Sequence, residues 1–519
     1  MAAVVDVDAM MIVTVDAKME KNAHVMMMDV AVDADAAKTV TVDVEKEKNA
    51  HAVVMTANVD VMIKKIKDIN VNVIIRRKNN MERLFLDELK NHFNEEITVS
   101  GFVDNVRNLQ WVQFIVLRDE TGKVQITIEK SDEANKELVE IVNDLPIEST
   151  IKVTGKLMEN EKVKMGGMEI IPTNIEVTSK NIGELPFNYK DLSTVNLDTR
   201  LDYRYIDLRS EKNILMFQVQ SCFVRYMREY LYNNRFTEIH TPKFIGAASE
   251  SGADVFEVKY FDHKAYLAQS PQFYKQMALA SGFGRVFEVA PCFRAENSNT
   301  SRHATEFTSF DLEMAYINDF NDVMDLEAEM LTYALEHVKE EYGNKIKELF
   351  NMEVVVPKTP FPKMRLADIY QELEERYGYK VDDSEKVDLT TEAERLCFKL
   401  AKDKFDSEFL FVIDFPAEKR AFYHMRDENG TLQGYDLIWR GVEITTGAQR
   451  EHRYEEICKN AKEKGLGKDV EFYLDFFKHG CPPHGGFAIG VDRLTMLLLD
   501  IPSVKESQFL FRGPNRINP

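Results

Sequence analysis

The reading of the chain turns on Arg294-Ala295-Glu296, then Arg302-His303, then the alternating run Phe307-Thr308-Ser309-Phe310-Asp311-Leu312-Glu313-Met314. Successive side chains of an extended strand face opposite ways, so Phe310, Leu312 and Met314 share one face and Ser309, Asp311 and Glu313 the other. The first face reads as core and the second as a polar floor. Upstream, Gly282-Phe283-Gly284-Arg285-Val286-Phe287-Glu288-Val289 reads as a second strand. It is expected to run antiparallel to the first, with Arg294, Glu296, Arg302 and His303 on the joining loop. Two arginines, a histidine and acids around one sheet surface suit a triphosphate and an amino acid, since planar guanidinium groups pair well with phosphate and carboxylate oxygens.

Outward from this hairpin, composition sets limits. With 519 residues there is room for two or three domains, and 44% hydrophobic with 29% charged content describes a soluble globular chain. No apolar run approaches the ~20 residues of a membrane helix, and the start lacks a secretory signal pattern. The five cysteines are scattered without CxxC spacing, which supports neither a zinc site nor a disulfide framework and predicts a cytoplasmic protein. A net charge of -21 argues against coating nucleic acid by bulk charge, but leaves room for an RNA partner recognised by local patches and shape.

Residues 1–80 differ from the rest. The run Thr14 to His24 recurs as Thr41 to His51 in a segment rich in Val, Ala, Asp and Met, and two copies do not make a solenoid. Weak independent folding is expected there, and His24 and His51 read as incidental rather than as metal ligands. Lys64-Lys65-Ile66-Lys67 and Arg76-Arg77-Lys78 could touch an RNA backbone. The functional protein is expected to begin near Met81.

Over 81–180, five short alternating runs begin near Ile97, Val112, Val124, Ile151 and Met168, with a helix over Glu133 to Val142. That order predicts an OB-fold barrel, a scaffold that stacks unpaired bases on exposed aromatics. Residues 181–205, with Pro186, read as a hinge, and 206–519 as a second, larger domain. In the latter, Ile214, Phe217, Ser221, Val224 and Met227 mark one helix face. Further helices are predicted over Val323 to Tyr342 and Thr391 to Asp403, the latter with no evident chemistry.

The wording Phe293-Arg294-Ala295-Glu296, Arg302-His303 and Asp311-Leu312-Glu313 resembles motif 2 of the class II aminoacyl-tRNA synthetases, in the aspartyl and asparaginyl branch. The helix running into Arg235-Phe236-Thr237-Glu238-Ile239-His240-Thr241-Pro242 resembles motif 1. Pro482-Pro483-His484-Gly485-Gly486-Phe487-Ala488-Ile489-Gly490-Val491-Asp492-Arg493-Leu494 resembles motif 3. The resemblance covers about Met81 to Pro519 and favours the archaeal and eukaryotic type of class IIb. It implies an α+β architecture, an N-terminal OB-fold β-barrel followed by an antiparallel-sheet catalytic domain flanked by helices. The activity it implies is ATP-dependent conversion of L-aspartate to aspartyl-adenylate and transfer to the 3′ end of tRNA-Asp, with Mg2+, by a homodimer formed through the motif 1 region.

Residue by residue, the resemblance implies that Arg294 and Arg493 are catalytic. Glu250, Ser270, Gln272, Lys275, Arg294, Asp311, Thr446, Arg450 and His484 would surround aspartate. Arg294, Glu296, Arg302, His303, Glu443, Gly490 and Arg493 would hold ATP, and Glu443 with Thr446 the metal. Phe114 would stack on an anticodon base while Gln125 and Glu169 read edges. Phe102 replaces a tryptophan common in relatives, and Asp104 occupies a position tied to anticodon stringency. In Gly447-Ala448-Gln449-Arg450 the wording looks aspartyl rather than asparaginyl, and Arg450 with Lys275 would favour a carboxylate side chain. Because Glu443 and Thr446 lie three apart, the strand is expected to break its pleat near Thr445-Gly447, where the glycine permits it. The rival readings are an asparaginyl-tRNA ligase, a non-catalytic tRNA-binding paralogue and an amidoligase making free asparagine.

Overall fold

The computed structural model describes residues 84–246, 254–297, 300–417 and 420–519. Before Leu84 it describes only the backbone of short strands such as Ala2–Val7, Met11–Met19 and Met26–Val30. The expectations for the 1–80 extension and its histidines, and for Glu250, therefore lie outside the described residues. Two compact units divide the chain, Met1–Glu184 and Leu185–Pro519.

In the first unit, β1 (Glu96–Asn108), β2 (Val112–Arg118), β3 (Lys123–Glu129), β4 (Thr150–Glu159) and β5 (Met168–Ser179) close into a barrel in the order β5-β3-β2-β1-β4. Alternation drives the closure: Ile97, Val99, Ile115, Leu117, Val124, Ile126, Ile151, Val153 and Ile170 are buried inside. Helix α1 (Lys136–Asn143) adds Leu138 and Val142 to the same core. Asp104 sits at a register shift in β1 and turns inward, with Arg118 Nε 3.2 Å from its carboxylate.

The second unit is built on an eight-stranded sheet. Its strands are β6 (Thr237–Glu238), β7 (Arg285–Phe293), β8 (Glu306–Ala315), β9 (Lys363–Arg365), β10 (Phe409–Ile413), β11 (Gly434–Trp439), β12 (Val442–Arg450) and β13 (His484–Gly490). They lie in the order β6-β7-β8-β13-β12-β11-β10-β9. The inner pairs are antiparallel, and the outermost pair at each edge is parallel. The sheet is thus antiparallel through its centre, as expected, with one parallel pair at each rim. Two long helices, α2 (Glu211–Asn233) and α3 (Phe320–Phe350), pack on one face with Phe287, Phe310, Leu312, Phe487 and Ile489. No helix among the described residues is long and apolar enough to cross a membrane.

Two expectations are corrected here. The hinge expected over 181–205 runs into this unit, because Leu197–Asp202 and Arg204–Asp207 are helical. Arg204 donates to the Glu506, Gln508 and Phe509 carbonyls, and Arg200 pairs with Asp207 and Glu506, so the C-terminus captures the connector. The buried face of α2 is also rotated from the expected one. Leu215, Met216, Val219, Cys222, Phe223 and Met227 are buried against α3 and the sheet, Ile214, Phe217 and Val224 are half-buried, and Ser221 is exposed. Apolar residues line both sides of this helix, and periodicity alone cannot say which side meets the core.

Candidate active site

β7 and β8 form the expected hairpin, with Glu288 opposite Asp311 and Arg285 opposite Met314. Phe310, Leu312 and Met314 point into the core, and Ser309, Asp311 and Glu313 form the opposite floor. β13 and β12 extend that floor, placing Ala488 beside Asp311, Gly486 beside Glu313, and His484 beside Arg450.

One end of the floor is a cavity of about 650 Å³ whose walls include Arg294, Glu296, Arg302, Glu443, Thr446 and Arg493. His303 and Gly490 also line it. The Arg294 guanidinium lies 5.3 Å above the Phe307 ring, and no acidic side chain pairs with it among the described residues. Arg493, near the start of α4 (Val491–Leu498), donates from Nη1 to the Glu443 carbonyl at 2.6 Å. Arg302 donates from Nη1 to Glu394 Oε2 at 2.6 Å. Burial first, then Arg493, pulls the His303 pKa below its ordinary value, so this ring is neutral at pH 7. The cavity therefore gathers positive charge from separate segments, as a polyphosphate requires.

The other end is closed and charge-balanced. Arg450 Nε lies 2.8 Å from Glu313 Oε1, and its Nη2 donates to the Gly486 carbonyl at 2.8 Å. Nη1 has no partner among the described residues and is available to an incoming acceptor. Lys275, on α5 (Gln272–Ala280), lies 3.1 Å from Asp311 Oδ1 and 3.4 Å from Glu313 Oε2, with the Leu312 carbonyl at 3.2 Å. Lys275 and Arg450 thus converge on one carboxylate, Glu313. Burial raises the Glu313 pKa, but Arg450 and Lys275 outweigh it and hold the group ionised.

Lys275, expected to oppose a substrate carboxylate, here faces two carboxylates of the protein. Its ammonium is enclosed and already surrounded by acceptors, so in this arrangement it sets the positions of Asp311 and Glu313. Neither oxygen of Asp311 makes an aligned hydrogen bond, which leaves a buried acceptor beside the ammonium. His484, expected beside the amino acid side chain, lies next to Arg450. Its Nδ1 contacts the Pro482 carbonyl at 2.8 Å and its Nε2 the Gln276 amide at 2.8 Å, so protein groups occupy both ring nitrogens. Burial lowers its pKa to about 4, so the ring is neutral where it packs on the floor beside Arg450. Ser270 Oγ accepts from the Gln272 amide at 3.2 Å, and Gln272 Nε2 reaches Gln276 at 3.1 Å and Glu313 at 3.3 Å.

Glu443 and Thr446 do share one side, with Thr446 Oγ1 donating to Glu443 Oε1 at 3.2 Å. The break that allows this lies earlier than expected. The register slips between Leu437 and Ile438 of β11, opposite Thr445 and Glu443, so the extra residue in β12 is Ile444. Gly447 is needed for another reason. A Cβ there would stand 2.3 Å from Tyr435 Cζ, so glycine makes room for that buried ring.

Sequence reasoning missed Gln276 and Glu394. Gln276 stands four residues after Gln272, hence on the same helix face, and that spacing could have found it. Glu394 lines the cavity from α6 (Thr391–Phe405) and had no local signal. In the barrel, Gln125 and Glu169 are aligned partners on neighbouring strands, 3.3 Å apart through Gln125 Nε2. Phe114 is half-buried opposite Thr127, which donates to Glu169, so the three expected residues share the barrel's outer surface.

The profile of class II tRNA synthetases (D, K and N) matches residues 196–511, and that of OB-fold nucleic acid binding domains matches 97–178. An aspartate–tRNA(Asp/Asn) ligase of Aeropyrum pernix is 40% identical over 427 residues, which is 82% of this chain and 95% of that protein. An aspartate–tRNA(Asp) ligase of Pyrococcus horikoshii is 40% identical over 443 residues, 83% of this chain and all of that one. The solved asparaginyl-tRNA synthetase of Pyrococcus horikoshii, complexed with asparaginyl-adenylate, superposes with a TM-score of 0.76 at 30% identity, covering 85% of this chain and 100% of that one.

Proposed function

The chain belongs to the class II tRNA synthetases of the aspartate, lysine and asparagine branch, and from that premise we propose that it is an aspartate–tRNA ligase. It activates L-aspartate with ATP and passes the aspartyl group to the 3′ end of tRNA-Asp. The convergence of Arg450 and Lys275 on Glu313, beside a cavity rich in arginine, carries this reading. Arg450 keeps Nη1 for a side-chain carboxylate, and Asp311 keeps acceptor oxygens for the α-ammonium.

An α-carboxylate oxygen of aspartate attacks the α-phosphorus of ATP, and the bond to the bridging oxygen breaks, releasing pyrophosphate. Arg294 neutralises charge shared by carboxylate and α-phosphate, while Arg302, His303, Glu296, Gly490 and Arg493 seat the rest of the nucleotide. No covalent enzyme intermediate is needed, because alignment and neutralisation supply the acceleration. A ribose hydroxyl of the tRNA end then attacks the aspartyl carbonyl, AMP leaves, and the hydroxyl proton is released.

Glu443 and Thr446 offer adjacent hard oxygens that suit Mg2+. Among the described residues no group of three His, Cys, Asp or Glu side chains is placed to hold a metal ion, so these two side chains are the candidates the chain offers. When bound, the ion would neutralise phosphate charge. Phe114, Gln125 and Glu169 read the anticodon in this proposal. The likeness to motif 1 is the support for a dimer formed through α2 and the strand after it, and the working compartment in this proposal is the cytosol.

Aspartate and asparagine compared in ATP–pyrophosphate exchange test the reading, followed by charging of purified tRNA-Asp and tRNA-Asn. Exchange with aspartate alone is expected. Exchange driven by asparagine and not by aspartate would overturn it.

A further inference from the structure

Glu394 stands in the first turn of α6, outside all three motifs, yet its carboxylate reaches the nucleotide cavity. Its Oε2 accepts from Arg302 Nη1 at 2.6 Å and from the Glu443 backbone amide at 3.4 Å. One oxygen therefore ties the loop after β7 to the edge of β12. The pair is shielded, with side-chain exposures of 19% for Arg302 and 13% for Glu394, so solvent screens it less than a surface ion pair. Arg302 uses a single nitrogen here, and its Nε and Nη2 have no partner among the described residues.

The depth of α6 is set independently. Thr390 caps the helix by accepting from the Ala393 amide at 3.1 Å. The β11–β12 turn passes close beside it: Gly441 has φ +79° and a Cβ there would lie 3.0 Å from Arg395 Cα. Close approach and backbone conformation both select glycine, and the contact holds Glu394 at the cavity wall.

We propose that Glu394 is a positioning residue for ATP, holding Arg302 by one nitrogen so that the rest of the guanidinium faces the phosphates. The opposite role would be that of a carboxylate competing with phosphate for Arg302. The two differ in the sign of one measurement. A positioning Glu394 lowers the KM for ATP and a competing one raises it.

The inference rests on the proposed ligase reading, and the wild-type protein separates the two failures. If wild type shows no aspartate-dependent exchange, that reading falls. If it does, Glu394→Ala and Glu394→Gln test the inference by KM and kcat for each substrate, with thermal midpoints. Glu394→Ala is expected to raise the ATP KM about ten-fold, the size of one charge-assisted hydrogen bond, with aspartate KM and thermal midpoint nearly unchanged. Glu394→Gln keeps an acceptor and is expected to recover most of the ATP KM. An unchanged or lowered ATP KM in Glu394→Ala, a Gln variant no better than Ala, or parallel shifts of both substrates with lost stability would each overturn the proposal.

Discussion

The two ends of the polar floor solve opposite electrostatic problems. At the nucleotide end, Arg294 has no acidic partner among the described residues, and Arg302 and Arg493 keep unused donors facing an open cavity. At the amino acid end, Lys275, Arg450, Asp311 and Glu313 are nearly sealed and compensate one another. A polyphosphate brings several negative charges, so its site gains from leaving cations uncommitted. A small amino acid brings little net charge and must be told from near-isosteres, so its site spends its charges on fixing one another and leaves a few aimed groups over. Loss of a nucleotide-end residue should therefore cost activity and little stability, and loss of an amino-acid-end residue should cost both.

Arg294→Ala should give the largest loss, at least about 1000-fold in kcat/KM for exchange, with a thermal midpoint close to wild type. A large drop in midpoint would break the contrast. Arg450→Leu strands Glu313 with one cation and removes the group aimed at the substrate side chain. Aspartate activation should weaken by ~2–4 kcal/mol and the midpoint should fall, which calorimetry beside exchange kinetics would detect. Aspartate kinetics unchanged in that variant would refute the assignment of Arg450.

Glu327 sharpens the comparison from behind the sheet. Buried on α3 with Tyr435 donating to its Oε2 at 2.7 Å, it has its pKa pushed up to about 8, mainly by burial. The folded pKa exceeds the unfolded one, so its contribution is fully present below the unfolded pKa near 4.5 and is lost as pH rises through about 8. Thermal stability of Glu327→Gln should vary less than wild type between those limits, with exchange at neutral pH little altered. Deleting residues 1–80 should have the smallest effect, leaving exchange with aspartate near wild type, and a large loss would sink the idea that function begins near Met81.

How much of this was legible depended on the range of the interactions. The alternating run from Phe307 placed Asp311 and Glu313 on one face because strand period is a local property. The five barrel runs carried a similarly local signal, whereas the Glu443 and Thr446 pair came from the family resemblance, since strand period alone sets residues three apart on opposite faces. What Lys275 touches was not legible, since its acceptors come from β8 and β13, far along the chain. Nor was Glu394, whose helix reads as an ordinary amphipathic one until the sheet brings it to Arg302. The bulge at Ile444 was inferred from chemistry but placed wrongly, because Gly447 looked like the permissive point and in fact accommodates Tyr435.

A crystal structure with a non-hydrolysable analogue of aspartyl-adenylate tests the division of labour most directly. The side-chain carboxylate is expected within hydrogen-bond reach of Arg450 Nη1, the ammonium beside Asp311 and the phosphate mimic against Arg294. An aspartyl side chain lying toward Arg302 and Arg493, with Arg450 still holding only Glu313 and Gly486, would contradict it.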